Sequence, residues 1–351
     1  MFDYIDLHCD TLMVFAGAEG SLYENQMSID IRRLKKGGCL AQFFAVWMPD
    51  RSARAQLGAE VEDELLEEWD DGYIARLLSG IRRETERYGD EIALAGSWAD
   101  LEKNRAEGRM SAFLTLEDGR AVRGSLERLE TFYREGIRLI TLTWNHDNCF
   151  GRANYRDGVF GSRGSGLSDF GKEAVVRMNE LGMLVDVSHL SDEGFYDVAA
   201  VARKPFIASH SNARALAPCS RNLSDEMIRI LAERGGAAGL NFAPGFLSRD
   251  FSCRDSRVCD MASHARHILD VGGEAVLALG SDLDGIAGNL EIDSPEKMER
   301  LWEALKQAGF TERQLELVMR GNAERVIRDV LDRPEEKAEK CDSIPQPDRE
   351  N

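Results

Sequence analysis

Short runs of apolar and β-branched residues recur along the chain at 4–7, 40–46, 110–116, 139–143, 184–187, 206–208, 237–241 and 275–279. Between them lie longer charged stretches in which apolar residues return at the helical period. This alternation predicts a parallel sheet whose strands are joined by crossover helices. Eight such runs in a chain of 351 residues predict an α/β fold of the (β/α)8 TIM-barrel type, which commonly takes about 250 residues plus insertions. A ninth run, 92–95, and the charged, helically patterned stretch 53–88 are assigned to a helical insertion at about 50–105 that comes after the second strand.

No internal repeat and no Pro/Gly/Ser-rich linker divides the chain, so residues 1–332 are expected to form one barrel domain. From 333 to 351 the composition turns to Pro, Glu, Lys and Asp, which cannot bury enough apolar area to offset its ordering entropy, and a flexible polar tail is expected there. The 44 Lys and Arg against 62 Asp and Glu leave a formal charge of −18, and no long basic stretch offers a footprint for nucleic acid or an anionic membrane. No run of about 18 apolar residues is present to cross a bilayer. The start MFDYIDLHCD carries acids where a signal peptide needs a basic, then apolar, segment, so a cytoplasmic setting is expected. Seven cysteines without CxxC spacing fit reduced, structural thiols, with Cys9 the exception to watch.

The chemistry is carried by polar residues just beyond the apolar runs: His8 and Asp10, Glu117 and Asp118, His146 and Asp147, His189, His210, and Asp282 with Asp284. Barrel enzymes build their sites at these C-terminal strand ends. In Asp6-Leu7-His8-Cys9-Asp10 the period of two puts His8 and Asp10 on one face, able to grip one cation; a strand-end turn with a capping Asp explains the pair equally well. Glu117 can bridge two cations, one through each oxygen, or can sit in a helical first turn capped by Asp118. Ser188-His189 and Ser209-His210 repeat one design on successive strands, and two neutral imidazoles there can converge on a second cation. Either histidine alone is more often structural; together with a bridging acid they favour a metal site. His264 and His267, at i, i+3 on a helical stretch, are expected to be solvated or packed.

His8-x-Asp10, Glu117-Asp118-Gly119, Trp144-Asn145-His146, Asp186-Val187-Ser188-His189, Ser209-His210-Ser211, Arg221-Asn222 and Gly280-Ser281-Asp282-Leu283-Asp284-Gly285, in this order, resemble the membrane (renal-type) dipeptidases, peptidase family M19, among the amidohydrolase-like metal hydrolases. The resemblance implies a first Zn2+ on His8, Asp10 and Glu117 and a second on Glu117, His189 and His210. It further implies His146 as the contact to the scissile carbonyl, Arg221 as the receiver of the substrate's free carboxylate, and Asp282 as the acid that moves protons, with Asp284 as an outer hydrogen-bond partner. The activity implied is hydrolysis of small dipeptides, L-D as well as L-L, by a water activated between the two ions, in a homodimer. A His/carboxylate site also accepts Mn2+ or Co2+. Because the tail is polar where a lipid-anchor signal would be apolar, no membrane attachment is carried over. Two readings stay open beside this one: a related hydrolase of a lactone, cyclic amide or other small amide, and a metal-binding barrel without catalysis.

Overall fold

The computed structural model describes residues 2–17, 20–56, 62, 65–156, 159–160 and 164–332; the expected tail at 333–351 and part of the insertion, 57–61 and 63–64, lie outside the described residues. Eight parallel strands form the barrel: β1 Tyr4–Cys9, β2 Cys39–Trp47, β3 Met110–Glu117, β4 Ile137–Thr141, β5 Leu184–Asp186, β6 Ile207–Ala208, β7 Ala237–Leu240 and β8 Leu277–Leu279. Neighbours run β2-β1-β8-β7-β6-β5-β4-β3, and β3 pairs back onto β2 from Ala41↔Ser111 to Trp47↔Glu117, which closes the ring. The fold is thus a TIM barrel.

One buried cluster draws on all eight strands through Ile5, Ala41, Phe113, Leu139, Leu184, Ile207, Ala237 and Ala278, which identifies it as the barrel interior. The last helix, Asn322–Leu331, packs Ala323, Val326 and Ile327 into the same cluster. The second cluster, with Leu114, Leu116, Ile140, Val185 and Leu279, is the layer between strands and helices. Along β3 the alternation is regular: Phe113 belongs to the interior and Leu114 and Leu116 to the outer layer, so Glu117 points inward as the strand ends. Along β1 it is broken. The strand takes three residues from Asp6 to Cys9 where β2 takes two from Gln42 to Phe44, an irregularity of the kind that re-aims side chains beside active sites. Leu7 lies in the interior cluster and Cys9 in the outer layer, and the shift lets His8 also reach inward.

The insertion contains the helices Arg51–Gln56, Leu66–Arg87 and Trp98–Ala106. The ninth run is itself a strand, Ile92–Leu94, pairing with Met110–Ala112 on the edge of β3 that β4 takes over from Leu114 onward. It extends the base of the sheet without joining the ring. Ser97, Ser125, Ser168, Ser191 and Ser224 each cap the helix directly after them, accepting from a backbone N–H of its first turn, which explains where the crossover helices start. Among the described residues no helix is long and apolar enough to cross a membrane.

The ring is tightest where β8 ends. A Cβ added to Gly280 would stand 1.7 Å from the Ser209 carbonyl oxygen, which is backbone and cannot yield, whereas one added to Gly72 on the face of the long helix meets nothing within 4 Å. Gly280→Ala is therefore expected to cost about 3 kcal/mol as an overpacked core substitution, and Gly72→Ala to gain about 0.5–1 kcal/mol from helix propensity. Urea midpoints of the two variants check this, and a neutral Gly280→Ala would contradict the close approach.

Candidate metal centre

The ends of β1, β3 and β8 and the segments after β5 and β6 bring His8, Asp10, Glu117, His189, His210 and Asp282 together; Asp282 is just at the edge of burial and the other five are buried. Backbone bonds lock the first and last strand ends, from Asp10 N to Leu283 O (3.1 Å) and from Asp282 N to His8 O (3.2 Å). Asp282 and Asp284 both adopt positive φ (62° and 73°), a conformation Asp tolerates better than most side chains. The turn they make brings Gly285 so close that a Cβ there would lie 2.1 Å from Asp10 Oδ2.

The Glu117 carboxylate divides the cluster in two. Its Oε1 lies 3.1 Å from His189 Nε2 and 3.5 Å from His210 Nε2, and those two nitrogens are 3.0 Å apart. Its Oε2 lies 3.6 Å from His8 Nε2, which stands 3.4 Å from Asp10 Oδ2 and 3.9 Å from Asp282 Oδ1. Two atoms bound to one zinc at about 2.0–2.1 Å in a tetrahedral site are about 3.3 Å apart. Both halves have that spacing. Among the described residues, both ring nitrogens of His8 and Oδ1 of Asp10 are buried without a hydrogen-bond partner, an arrangement that costs about 1–3 kcal/mol per group unless something else satisfies them. A cation beside His8 would satisfy its Nε2, and one beside His189 and His210 would separate their facing Nε2 lone pairs, so the residues fit the metals.

The electrostatics agree. Burial pushes the Glu117 carboxyl well up, with His8 pulling the other way and Asp10 and Asp282 adding to the rise. Burial likewise raises Asp282 to about 6. Burial alone would favour neutral His8, but Glu117, Asp10 and Asp282 outweigh it and hold its pKa at about 10. His189 and His210 go the other way, lowered by burial and by the charges of Arg221 and His8, and stay neutral.

The remaining expected site residues divide. Arg221, 2 % exposed, lies against the cluster: Nη2 is 3.1 Å from His189 Nε2 and 3.3 Å from the His210 carbonyl, and Nη1 donates to the Ser188 carbonyl and, at 3.3 Å, to Ser211 Oγ. Its guanidinium sits 5.1 Å over the Phe246 ring, and its Nε has no partner among the described residues. His146 is not brought in. Its side chain is 58 % exposed and points to Asp50, 3.6 Å away. Its neighbour Asn145 lines the cavity instead and accepts from His189 Nδ1 at 3.3 Å. Thr141 is the last residue of β4, so strand alternation no longer governs which side chain of Trp144-Asn145-His146 faces inward.

Asp118 turns away and caps the short helical turn after β3, accepting from Arg120 N (3.1 Å) and from Asn148 Nδ2 (2.7 Å). Asp284 binds Thr11 Oγ1 and Ser28 N, each at 2.6 Å, tying the segment after β1 to the β8 turn. His264 is packed between Ala213 N and the Leu247 carbonyl, and His267 pairs with Asp225. Cys9 is buried, with its sulfur 3.4 Å from Thr11 Oγ1. Above the cluster opens a cavity of about 240 Å3 walled by Met13, Trp47, Trp144, Phe246 and Ile286.

A family model described as membrane dipeptidase (peptidase family M19) matches residues 1–340. The dipeptidase aclJ of Aspergillus oryzae is 31 % identical over 308 residues, 86 % of this chain and 70 % of that protein. An uncharacterised protein in the pqqA 5′ region of Klebsiella pneumoniae is 34 % identical over 247 residues, 68 % of this chain and 89 % of that protein. The crystal structure of a metallo peptidase from Rhodobacter sphaeroides, liganded with a phosphinate mimic of the dipeptide L-Ala-D-Ala, superposes with a TM-score of 0.80 at 24 % identity, covering 94 % of this chain and 99 % of that one.

A raised histidine pKa makes the folded state bind the proton more tightly than the unfolded chain. For His8 the resulting stability is fully present below about pH 6.5 and is lost as the pH climbs towards about 10. In chelator-treated protein the urea midpoint should therefore fall across that window more steeply than in zinc-loaded protein, where a metal takes the proton's place, and His8→Asn should remove the excess. Equal slopes with and without zinc would count against this account of His8.

Proposed function

Because the chain belongs to the membrane dipeptidase family, M19, and is a metallo-dipeptidase with a buried His/Glu metal site, we propose that it hydrolyses short dipeptides bearing a free carboxylate, L-D as well as L-L, with two divalent cations, Zn2+ in the first instance. The observation that carries the reading is the divided Glu117 carboxylate, one oxygen facing His189 and His210 and the other facing His8. His8, Asp10 and Glu117 would hold one ion, and Glu117, His189 and His210 the other. When bound, such ions supply Lewis acidity and lower the pKa of water to about 7.

The chain's own groups do the rest. Asp282 accepts the proton of the attacking water and returns it to the leaving amine; its Oδ2 is steadied by Asn241 Nδ2 at 2.8 Å, leaving Oδ1 towards His8. Arg221 receives the substrate's carboxylate. Once the His189 lone pair is engaged elsewhere, Nη2 joins the unpartnered Nε as a two-donor edge, suited to two parallel bonds to a carboxylate. Held by backbone carbonyls and over Phe246, it sets a fixed distance from the cluster and selects short substrates. No carboxylate among the described residues forms an ion pair with it, which favours an anionic ligand over a lactone.

The sequence motif points to His146 for the contact to the scissile carbonyl. Asn145 is better placed, since its carbonyl serves His189 and its amide Nδ2 remains to donate, and we assign the contact to it. The ligand in the Rhodobacter sphaeroides structure mimics the dipeptide L-Ala-D-Ala, which supports tolerance of a C-terminal D-residue here. A cytoplasmic setting is proposed on the free, buried thiols of Cys9, Cys39 and Cys219.

Zinc-loaded protein is expected to release amino acids from L-L and L-D dipeptides but not from their C-terminal amides. Arg221→Ala should abolish that preference, Asp282→Asn should keep both ions yet lose about 10²–10⁴ in kcat, and Glu117→Ala should empty both positions on dialysis. Asn145→Ala should lower kcat by about 10²-fold or more as for other oxyanion donors, and His146→Ala much less. Cleavage of amides as fast as acids would sink the Arg221 role, and the reverse ranking of the last two variants would return the carbonyl contact to His146.

A further inference from the structure

Resting on the two-cation reading, we infer that Asp186 is the positioning residue of the second cation's site: through Ser209 it fixes which nitrogen of His210 carries the hydrogen, leaving Nε2 bare for the metal. Asp186 is fully buried at the end of β5 and accepts five hydrogen bonds. Its Oδ1 takes Ser188 N (3.0 Å), Ser188 Oγ (2.9 Å) and Ser209 N (2.8 Å); its Oδ2 takes Thr141 Oγ1 (2.6 Å) and Ser209 Oγ (2.5 Å). Three successive strand ends are thereby tied to one carboxylate.

The directions of these bonds have a chemical consequence. A serine hydroxyl has one hydrogen, and that of Ser209 is committed to Asp186. Its oxygen faces His210 Nδ1 at 2.7 Å and can only accept, so the hydrogen of the neutral ring sits on Nδ1. Ser188 cannot reverse this, because its own hydrogen goes to Oδ1 of Asp186 and its oxygen accepts from His210 N at 3.0 Å. His210 Nε2 is left with a free lone pair, directed at Glu117 Oε1 and His189 Nε2. The other imidazole is set in the same sense by Asn145, whose carbonyl oxygen accepts from His189 Nδ1. Hydrogen-bond partners of this outer kind fix the tautomer of metal-binding histidines, and losing one typically costs about 10–100-fold in metal affinity.

The test uses the full chain, 15N-labelled at histidine, stripped with chelator and titrated with Zn2+ against a competing chelator. Long-range 1H–15N spectra of the stripped parent should show His210 with its hydrogen on Nδ1. Ser209→Ala should weaken one of the two zinc positions about 10–100-fold, leave the other at parental affinity and give mixed tautomers. Asp186→Asn offers an amide donor to Ser209 Oγ, frees its hydrogen for His210 Nδ1 and should move the ring hydrogen to Nε2. Ser209→Thr, which keeps the hydroxyl, should restore binding. A purely structural role would lower the melting temperature while leaving tautomer and zinc affinity as in the parent, and that outcome in Ser209→Ala overturns the inference even if Asp186→Asn does not fold. An Nε2–H tautomer in the parent overturns it too. Failure to cleave dipeptides, with tautomer and two-step zinc binding as expected, would fault the substrate reading alone.

Discussion

Three carboxylates, Asp10, Glu117 and Asp282, converge on one histidine at the mouth of a closed barrel, and the rest of the site is shaped by the cost of keeping them there. Like charges taken out of water repel strongly unless positive charge accompanies them. The chain supplies little of it. His8 is the one titratable base among them, and Arg221 is hydrogen-bonded to His189 and to the His210 carbonyl rather than to any of the three. A proton on His8 is the compensation available to the protein alone, and divalent cations are the stronger one. Glu117 is central because its two oxygens face the two histidine groups separately, so that one side chain is shared by both halves of the cluster.

Holding these groups at fixed spacing requires a frame that does not relax. β1 and β8 are pinned together at their ends by reciprocal backbone bonds, and the β8 turn is pinned again by Asp284, which reaches across to Thr11 and Ser28. On the other side Asp118 and Asp70 both bind Arg120, whose Nη1 and Nη2 also donate to the Met48 and Pro49 carbonyls, tying the insertion helix to the segment after β3. The left-handed backbone at Asp118, Asp282 and Asp284 is concentrated where these ties are made. Such conformations cost about 1–3 kcal/mol each and persist where surrounding bonds over-determine them.

The eight barrel strands were legible in the sequence because strands covered on both faces read as continuous apolar runs, and the clustered side chains were legible because polar residues stand out at the ends of such runs. What alternation could not convey is where it fails. The irregularity between Asp6 and Cys9 changes which residues of β1 face inward, and nothing in the residue types announces it. Beyond Thr141 the chain leaves the sheet, so spacing could not tell which of Asn145 and His146 lines the cavity, and the role of His146 rested on the resemblance alone. Asp186 stands in the Asp186-Val187-Ser188-His189 motif, yet its role depends on Thr141 and Ser209, residues whose proximity is a matter of barrel order. The strand Ile92–Leu94 was visible as a run but not as a partner of β3.

Under the proposed function, the choice among hydrolytic substrates would turn on Arg221 more than on the residues that would hold the metals, since a metal centre sets the type of reaction and the walls of the cavity set what reaches it. A guanidinium this deeply buried loses hydration that neutral carbonyls replace only in part, and burial accordingly draws its pKa down. A packed barrel has cheaper ways to fill the volume. Its place at the cavity wall, with one N–H unpaired among the described residues and a second donated to His189 Nε2, suits the carboxylate-bearing ligand of the proposed function. A neutral lactone or cyclic amide would leave that cost unmet, whereas a dipeptide offers its terminal carboxylate one residue away from the bond that the cluster would hydrolyse.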